Sequence, residues 1–246
     1  MDSIIRQLFS ETLRRLRIVT FDADGTTIDS RDKVIAIHAG LAPRFGLREP
    51  LPYDGTSILN ALKKLGLSRF AQWRYLRECR KRELRCAPQI FPGTNELVLR
   101  LKTLGKIVGI VTNRPADRHT FALFRQSGLD LDAFDIMVTY DANPSRVEWK
   151  KRWGLLGNVP KCHVSVAYPK PDKRAFDPVC ELTGHIGCSP GEVAHFGDSI
   201  PDVAAARENY FVPIGVLTGA VRHKAVFYEH GAQFVIPCIT DARDYL

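Results

Sequence analysis

Two aspartates, Asp22 and Asp24, stand one residue apart just after the apolar run Ile18-Val19-Thr20-Phe21, with Gly25 and Thr26 following. Three more polar sets accompany other runs in the same way: Thr112-Asn113, Lys170 within Tyr168-Pro169-Lys170-Pro171-Asp172, and Asp198 with Asp202 in Phe196-Gly197-Asp198-Ser199-Ile200-Pro201-Asp202. Several carboxylates brought together repel one another and call for a divalent cation, and oxygen-only ligands suit Mg²⁺. A lysine and a threonine are odd companions for a metal alone. A phosphoryl group explains both, since Lys neutralises its charge and the Thr hydroxyl donates to it. One carboxylate can then attack phosphorus and form an acyl phosphate, splitting a difficult displacement into two easier ones. A second can protonate the leaving alkoxide and afterwards deprotonate water.

This chemistry requires four distant segments to meet, so the elements that carry them matter. Apolar and β-branched runs at 17–21, 106–112, 135–139, 192–197, 211–217 and 233–236 read as strands, and periodic stretches near 94–104, 116–127, 174–184 and 201–208 read as helices. The alternation predicts an α/β fold with a parallel sheet covered on both faces. Ligands of such sheets bind beyond the carboxyl ends of the strands, where all four polar sets fall. Between Ser30 and Gln89 the strand signal vanishes, and helices are expected near 32–45, 56–65 and 68–85. The last carries Phe70, Trp73, Leu76 and Cys79 on one stripe and seven basic residues elsewhere. Residues 3–16 form a further amphipathic helix. The stretch 141–169, which contains Trp149 and Trp153, fits no repeating unit and reads as an insertion.

Composition bounds the answer. At 246 residues, 45% hydrophobic and 25% charged, the chain suits one large globular domain or a core plus a small accessory unit. Its 35 Lys and Arg against 27 Asp and Glu give a net charge of +8, which favours anionic partners. Six scattered cysteines form no CxxC pair, and neither a signal peptide nor an apolar run near the ~20 residues of a membrane helix occurs. A soluble, cytoplasmic protein without a membrane partner is expected, as a monomer or homodimer.

The ordered set FDADGT, VTN, KPD and GDSIPD resembles the haloacid dehalogenase superfamily, within it the phosphoglycolate phosphatase-like enzymes, over about residues 17–245. The resemblance implies a Rossmann-like core of residues 1–29 and 90–246 and a helical cap domain of residues 30–89 inserted after the first strand. It implies Asp22 as nucleophile, Asp24 as general acid and base, Thr112 and Lys170 as phosphoryl-binding catalytic groups, and Asn113 as a substrate contact. The Mg²⁺ set it implies is Asp22, the Ala23 carbonyl, Asp24, Asp198 and Asp202, the last acting through water. Asp24 itself favours ester hydrolysis, because relatives that release no alkoxide carry another residue there. The insertion leaves Lys161 and Lys173 as competitors for Lys170, which matches best. Arg114 adjoins the site without an assigned role.

The expected activity is therefore Mg²⁺-dependent hydrolysis of a small phosphorylated substrate: phosphoglycolate, a sugar phosphate or a nucleotide. A phosphomutase shares the chemistry and is the nearest alternative. From another class comes a nucleic-acid-associated binding protein using the basic helix 69–85, and a polynucleotide-end phosphatase would combine the two. Those arginines would otherwise be a solvated face, or select a multiply charged substrate.

Overall fold

Ile18–Phe21 (β1) consists of three β-branched residues and a phenylalanine, and all four are buried. Such a strand belongs at the centre of a sheet covered on both faces. The computed structural model, which describes residues 3–141, 150–151 and 162–246, places it there. Seven strands run parallel in the order β5-β3-β2-β1-β6-β7-β8, formed by β2 (Ile107–Pro115), β3 (Ile136–Tyr140), β5 (Cys162–Val166), β6 (Val193–Gly197), β7 (Val212–Val216) and β8 (Phe234–Ile236). A two-residue strand β4 (Lys150–Lys151) adds antiparallel to β5 at the edge. The insertion expected at 141–169 is thus shorter than the sequence suggests, because β5 is a core strand paired with β3. Trp149, Trp153 and Lys161 lie outside the described residues.

Alternate residues of β1 face opposite layers, as the pleat requires. Val19 and Phe21 pack with Phe9 and Leu13 of α1 (Ser3–Arg15), Leu97 and Leu101 of α5 (Thr94–Thr103), and Phe124 of α6 (Arg118–Gln126). Ile18 faces the other layer with Phe176, Val179 of α7 (Asp177–Ile186) and Ala205 of α8 (Ile200–Glu208). Burying each of these larger side chains contributes about 1.5–3 kcal/mol. A short helix α9 (Lys224–Glu229), not expected from the sequence, lays Phe227 over Gly215 of β7 and against Val235 of β8.

Between β1 and β2 the chain leaves the sheet through a narrow neck, where Asp29 N–H donates to the Gln89 carbonyl at 2.8 Å and Phe91 N–H to that of Thr27 at 3.1 Å. Beyond it lie α2 (Arg31–Leu41), α3 (Ile58–Lys64) and α4 (Arg69–Arg85), which share their own apolar cluster of Ile37, Leu41, Leu51, Leu62, Tyr75 and Cys79. The buried stripe of α4 is Tyr75, Cys79 and Glu83, spaced four apart. Phe70 and Trp73, expected on that stripe, are exposed instead and stack on each other. The apolar pattern misleads here because the inward face contains a carboxylate.

Candidate active site

Asp22 follows the last residue of β1, and its N–H donates to the Phe196 carbonyl of the adjacent β6. The ladder therefore fixes its position. Lys170 Nζ, almost fully buried, donates to Asp22 Oδ1 and to the Val111 carbonyl, both at 2.7 Å, and contacts Asp202 Oδ1 at 2.5 Å. Burial opposes the charge on Lys170, but Asp202 and Asp22 outweigh it and raise its pKa. Burial also lifts Asp22 to about 7, against the pull of Lys170. Thr112 Oγ1, at the end of the apolar part of β2, accepts from Arg114 N–H and keeps its own proton to donate. Lys173 lies exposed on the following turn, which leaves the buried place to Lys170.

Asn113 was expected to touch substrate, yet its amide is already engaged. Its Oδ1 accepts from Lys170 N–H at 2.8 Å, and its Nδ2 donates to the carbonyls of Lys170 and Gly55. The side chain clamps the backbone of the lysine from both its N–H and its carbonyl.

Asp198, at the tip of β6, is buried with one carboxylate oxygen accepting from Ala220 N–H at 2.7 Å. Burial, then Asp202 and Asp22, raise its pKa well above the ordinary range. Oxygens of Asp22, Asp198 and Asp202 all lie within 4.8 Å of one another. When ionised, these three and Lys170 leave two negative charges, which a divalent cation would neutralise. The surrounding backbone is shaped for a close approach. A Cβ on Gly219 would fall 1.7 Å from Asp198 Oδ2, and one on Gly25, whose φ is +72°, would fall 2.4 Å from it. The donor set thus fits a divalent cation.

Two members of the expected metal set are committed elsewhere. The Ala23 carbonyl accepts from Thr27 N–H, Thr27 Oγ1 and Ile28 N–H at 2.9–3.0 Å, so its lone pairs are already used. Asp202 receives Ser199 N–H and Oγ on one oxygen, and Lys170 and His195 Nε2 on the other. It caps α8 and anchors the lysine. Among the described residues nothing donates to the Asp24 carbonyl, which is the next one along the same turn.

The Asp24 carboxylate is gripped by Arg114, whose Nε and Nη2 contact its two oxygens at 2.5 and 2.8 Å. Arg114 Nη2 also reaches Glu83 of α4 at 2.9 Å, and His119 of α6 contacts the same carboxylate at 2.8 Å. Burial pushes Glu83 up, but Arg114 and His119 outweigh it and hold it at about 2. Burial likewise opposes charge on Arg114, while Asp24 and Glu83 raise its pKa. Sequence reasoning missed Glu83 and His119 and gave Arg114 no role. The only signal was an acid among the arginines of helix 69–85. It also missed the loop at Tyr53–Gly55, which enters the site: a Cβ on Gly55 would meet Ser199 Oγ at 2.3 Å, and one on Gly25 would meet the Tyr53 hydroxyl at 2.7 Å.

Asp22, Asp24, Thr112, Asn113, Lys170, Asp198 and Asp202 all border a single cavity of about 270 Å³; Ala23 does not. Among the described residues no helix is long and apolar enough to cross a membrane. The chain is 27% identical over 213 residues to a phosphoglycolate phosphatase of Synechococcus elongatus, covering 83% of this chain and 85% of that one. It is 24% identical over 205 residues to the pyrophosphatase PpaX of Bacillus velezensis, covering 80% and 81%. The crystal structure of a hydrolase from Pseudomonas syringae superposes with a TM-score of 0.70 at 20% identity, over 94% of this chain and 97% of that one. The family model of the haloacid dehalogenase-like hydrolases matches residues 16–209, and the chain belongs to that family.

Proposed function

We propose that this chain is a Mg²⁺-dependent phosphomonoester hydrolase that passes the phosphoryl group through Asp22. The observation that carries this reading is the Asp22 carboxylate at the tip of the central strand. It is held by buried Lys170 at 2.7 Å and opens on the same cavity as Thr112 and Asp24. The resemblance to phosphoglycolate phosphatase supports a small phosphorylated metabolite as substrate. Residues 30–89 would act as a cap over a core of 1–29 and 90–246, excluding water and contacting the leaving group.

Asp22 attacks phosphorus and forms an Asp22–O–P bond while the P–O ester bond breaks. The leaving oxygen takes the bond's electron pair and a proton from Asp24, one oxygen of which must first be released from Arg114. Water then gives a proton to Asp24 and attacks the aspartyl phosphate, releasing inorganic phosphate and restoring the Asp22 carboxylate. Lys170 and the Thr112 hydroxyl hold phosphoryl oxygens through both steps. The Asp22 and Asp198 carboxylates, with the Asp24 carbonyl in place of that of Ala23, would hold Mg²⁺, while Asp202, expected to reach it through water, is occupied with Ser199, His195 and Lys170. The ion, when bound, supplies positive charge that offsets repulsion between Asp22 and the phosphate.

Asp22→Asn tests the reading. Phosphate release from p-nitrophenyl phosphate should fall by about 10⁴-fold or more with the circular dichroism spectrum unchanged, and chelation should abolish wild-type turnover. Retained activity in the variant would overturn the covalent route.

A further inference from the structure

We infer that the hydrolysed ester carries an uncharged leaving group with an apolar face, and not one bearing a second carboxylate or phosphate. The inference rests on the phosphatase reading above and narrows its substrate.

The cavity extends from the strand tips to the helices of residues 30–89, where Val34, Ile58, Leu59, Leu76 and Cys79 border it. Its volume of about 270 Å³ leaves room beyond a phosphoryl group for an organic moiety. A second anion in that space would need a cation, and the cationic groups among the described lining residues are already matched. Arg114 holds Asp24 and Glu83, Lys170 holds Asp22 and Asp202, and Arg80 holds Asp117 at 2.5 Å. His119 is bonded to Glu83, and His38 accompanies Tyr75 at 2.8 Å in a largely buried setting. Asp54 borders the same cavity and would repel an incoming carboxylate.

The other arginines of α4 do not border the cavity. Arg74 lies over the rings of Phe45 and Phe70, and Arg77 over that of Trp73. The multiply charged substrate that the basic helix suggests therefore finds no built receptor among the described residues. What the wall does present is apolar surface from Val34, Ile58, Leu59 and Leu76.

The test uses the full chain with Mg²⁺ and matched esters: phenyl against 4-carboxyphenyl phosphate, n-butyl phosphate against 2-phosphoglycolate, and a nucleoside 5′-monophosphate against its 3′,5′-bisphosphate. The expected result is a kcat/KM about tenfold or more higher for the uncharged member of each pair. Along the alkyl series from methyl to butyl it should rise roughly fourfold per methylene. Leu59→Arg, which sets a cation on the apolar wall, should shrink the phenyl preference by about fivefold. Equal or better turnover of the charged members would overturn the substrate class and leave the phosphatase reading standing. No phosphate from any ester, p-nitrophenyl phosphate included, would overturn that reading and this inference with it.

Discussion

The floor and the wall of the cavity are built on opposite plans. On the floor, Asp22, Lys170 and Asp202 lie at the carboxyl edge of the sheet, held by bonds to the main chain of β6, of β2 and of the start of α8 respectively. On the wall, charged groups neutralise one another across the junction between residues 30–89 and the sheet, Glu83 with Arg114 and Arg80 with Asp117. The rest of the wall is largely apolar. Charge aimed at the ligand is thus concentrated where phosphorus would sit, and charge elsewhere is spent on holding the two parts together. Changes to the floor should alter turnover of every ester alike, whereas changes to the wall should alter which ester is preferred, or the stability of the junction.

The Asp22→Asn loss of about 10⁴-fold sets the upper end of that comparison. Next comes Arg114→Ala, which leaves Asp24 and Glu83 without their shared partner. Breaking a buried ion network in this way costs about 3–5 kcal/mol, so the melting temperature should fall by roughly 6–20 °C. A change under 2 °C would show that the network does not tie the two parts together.

Acid should loosen the wall, as it should the floor, where burial lowers His195 to about 4 as well. Burial lowers His38 to about 4 from an ordinary 6.5, and the nearby Glu83 only partly offsets this. Its folded pKa is depressed, so the stability it contributes is complete above pH 6.5 and is lost as pH falls toward 4. That contribution is about 3 kcal/mol by linkage. His38→Gln should therefore flatten the pH dependence of stability in this window, measured by urea unfolding. An unchanged slope would place the acid-sensitive group elsewhere.

The smallest expected effect belongs to Asn113→Ala. Removing the clamp on the Lys170 backbone should lower kcat by about 10–100-fold with KM nearly constant. A pure KM effect would instead make Asn113 a substrate contact.

The two regions also differ in how far they can be read from the chain. Floor residues are local signals, since Asp22 and Asp24 terminate a strand and Asp198 and Asp202 bracket a helix start, and these patterns need no distant partner to be noticed. The alternation of strands and helices likewise exposed the parallel sheet. Glu83 was invisible for the opposite reason. An acid among arginines looks like a solvated face, and its partner Arg114 lies 31 residues away in sequence. The same error placed Phe70 and Trp73 inside. The role of Ala23 failed on a finer scale, because only the turn's hydrogen bonds reveal which carbonyl is occupied.

The start of α8 carries one more consequence. Asp202 caps that helix through Ser199 while it holds Lys170, and a Cβ on Gly197 would fall 2.2 Å from that of Asp202. Glycine, serine and aspartate there work as interlocking parts of a single joint, and none can be exchanged in isolation. A designer wishing to redirect this scaffold should leave that joint alone and rebuild the apolar side chains of the opposite wall, such as Ile58, Leu59 and Leu76, which border the cavity without belonging to the sheet.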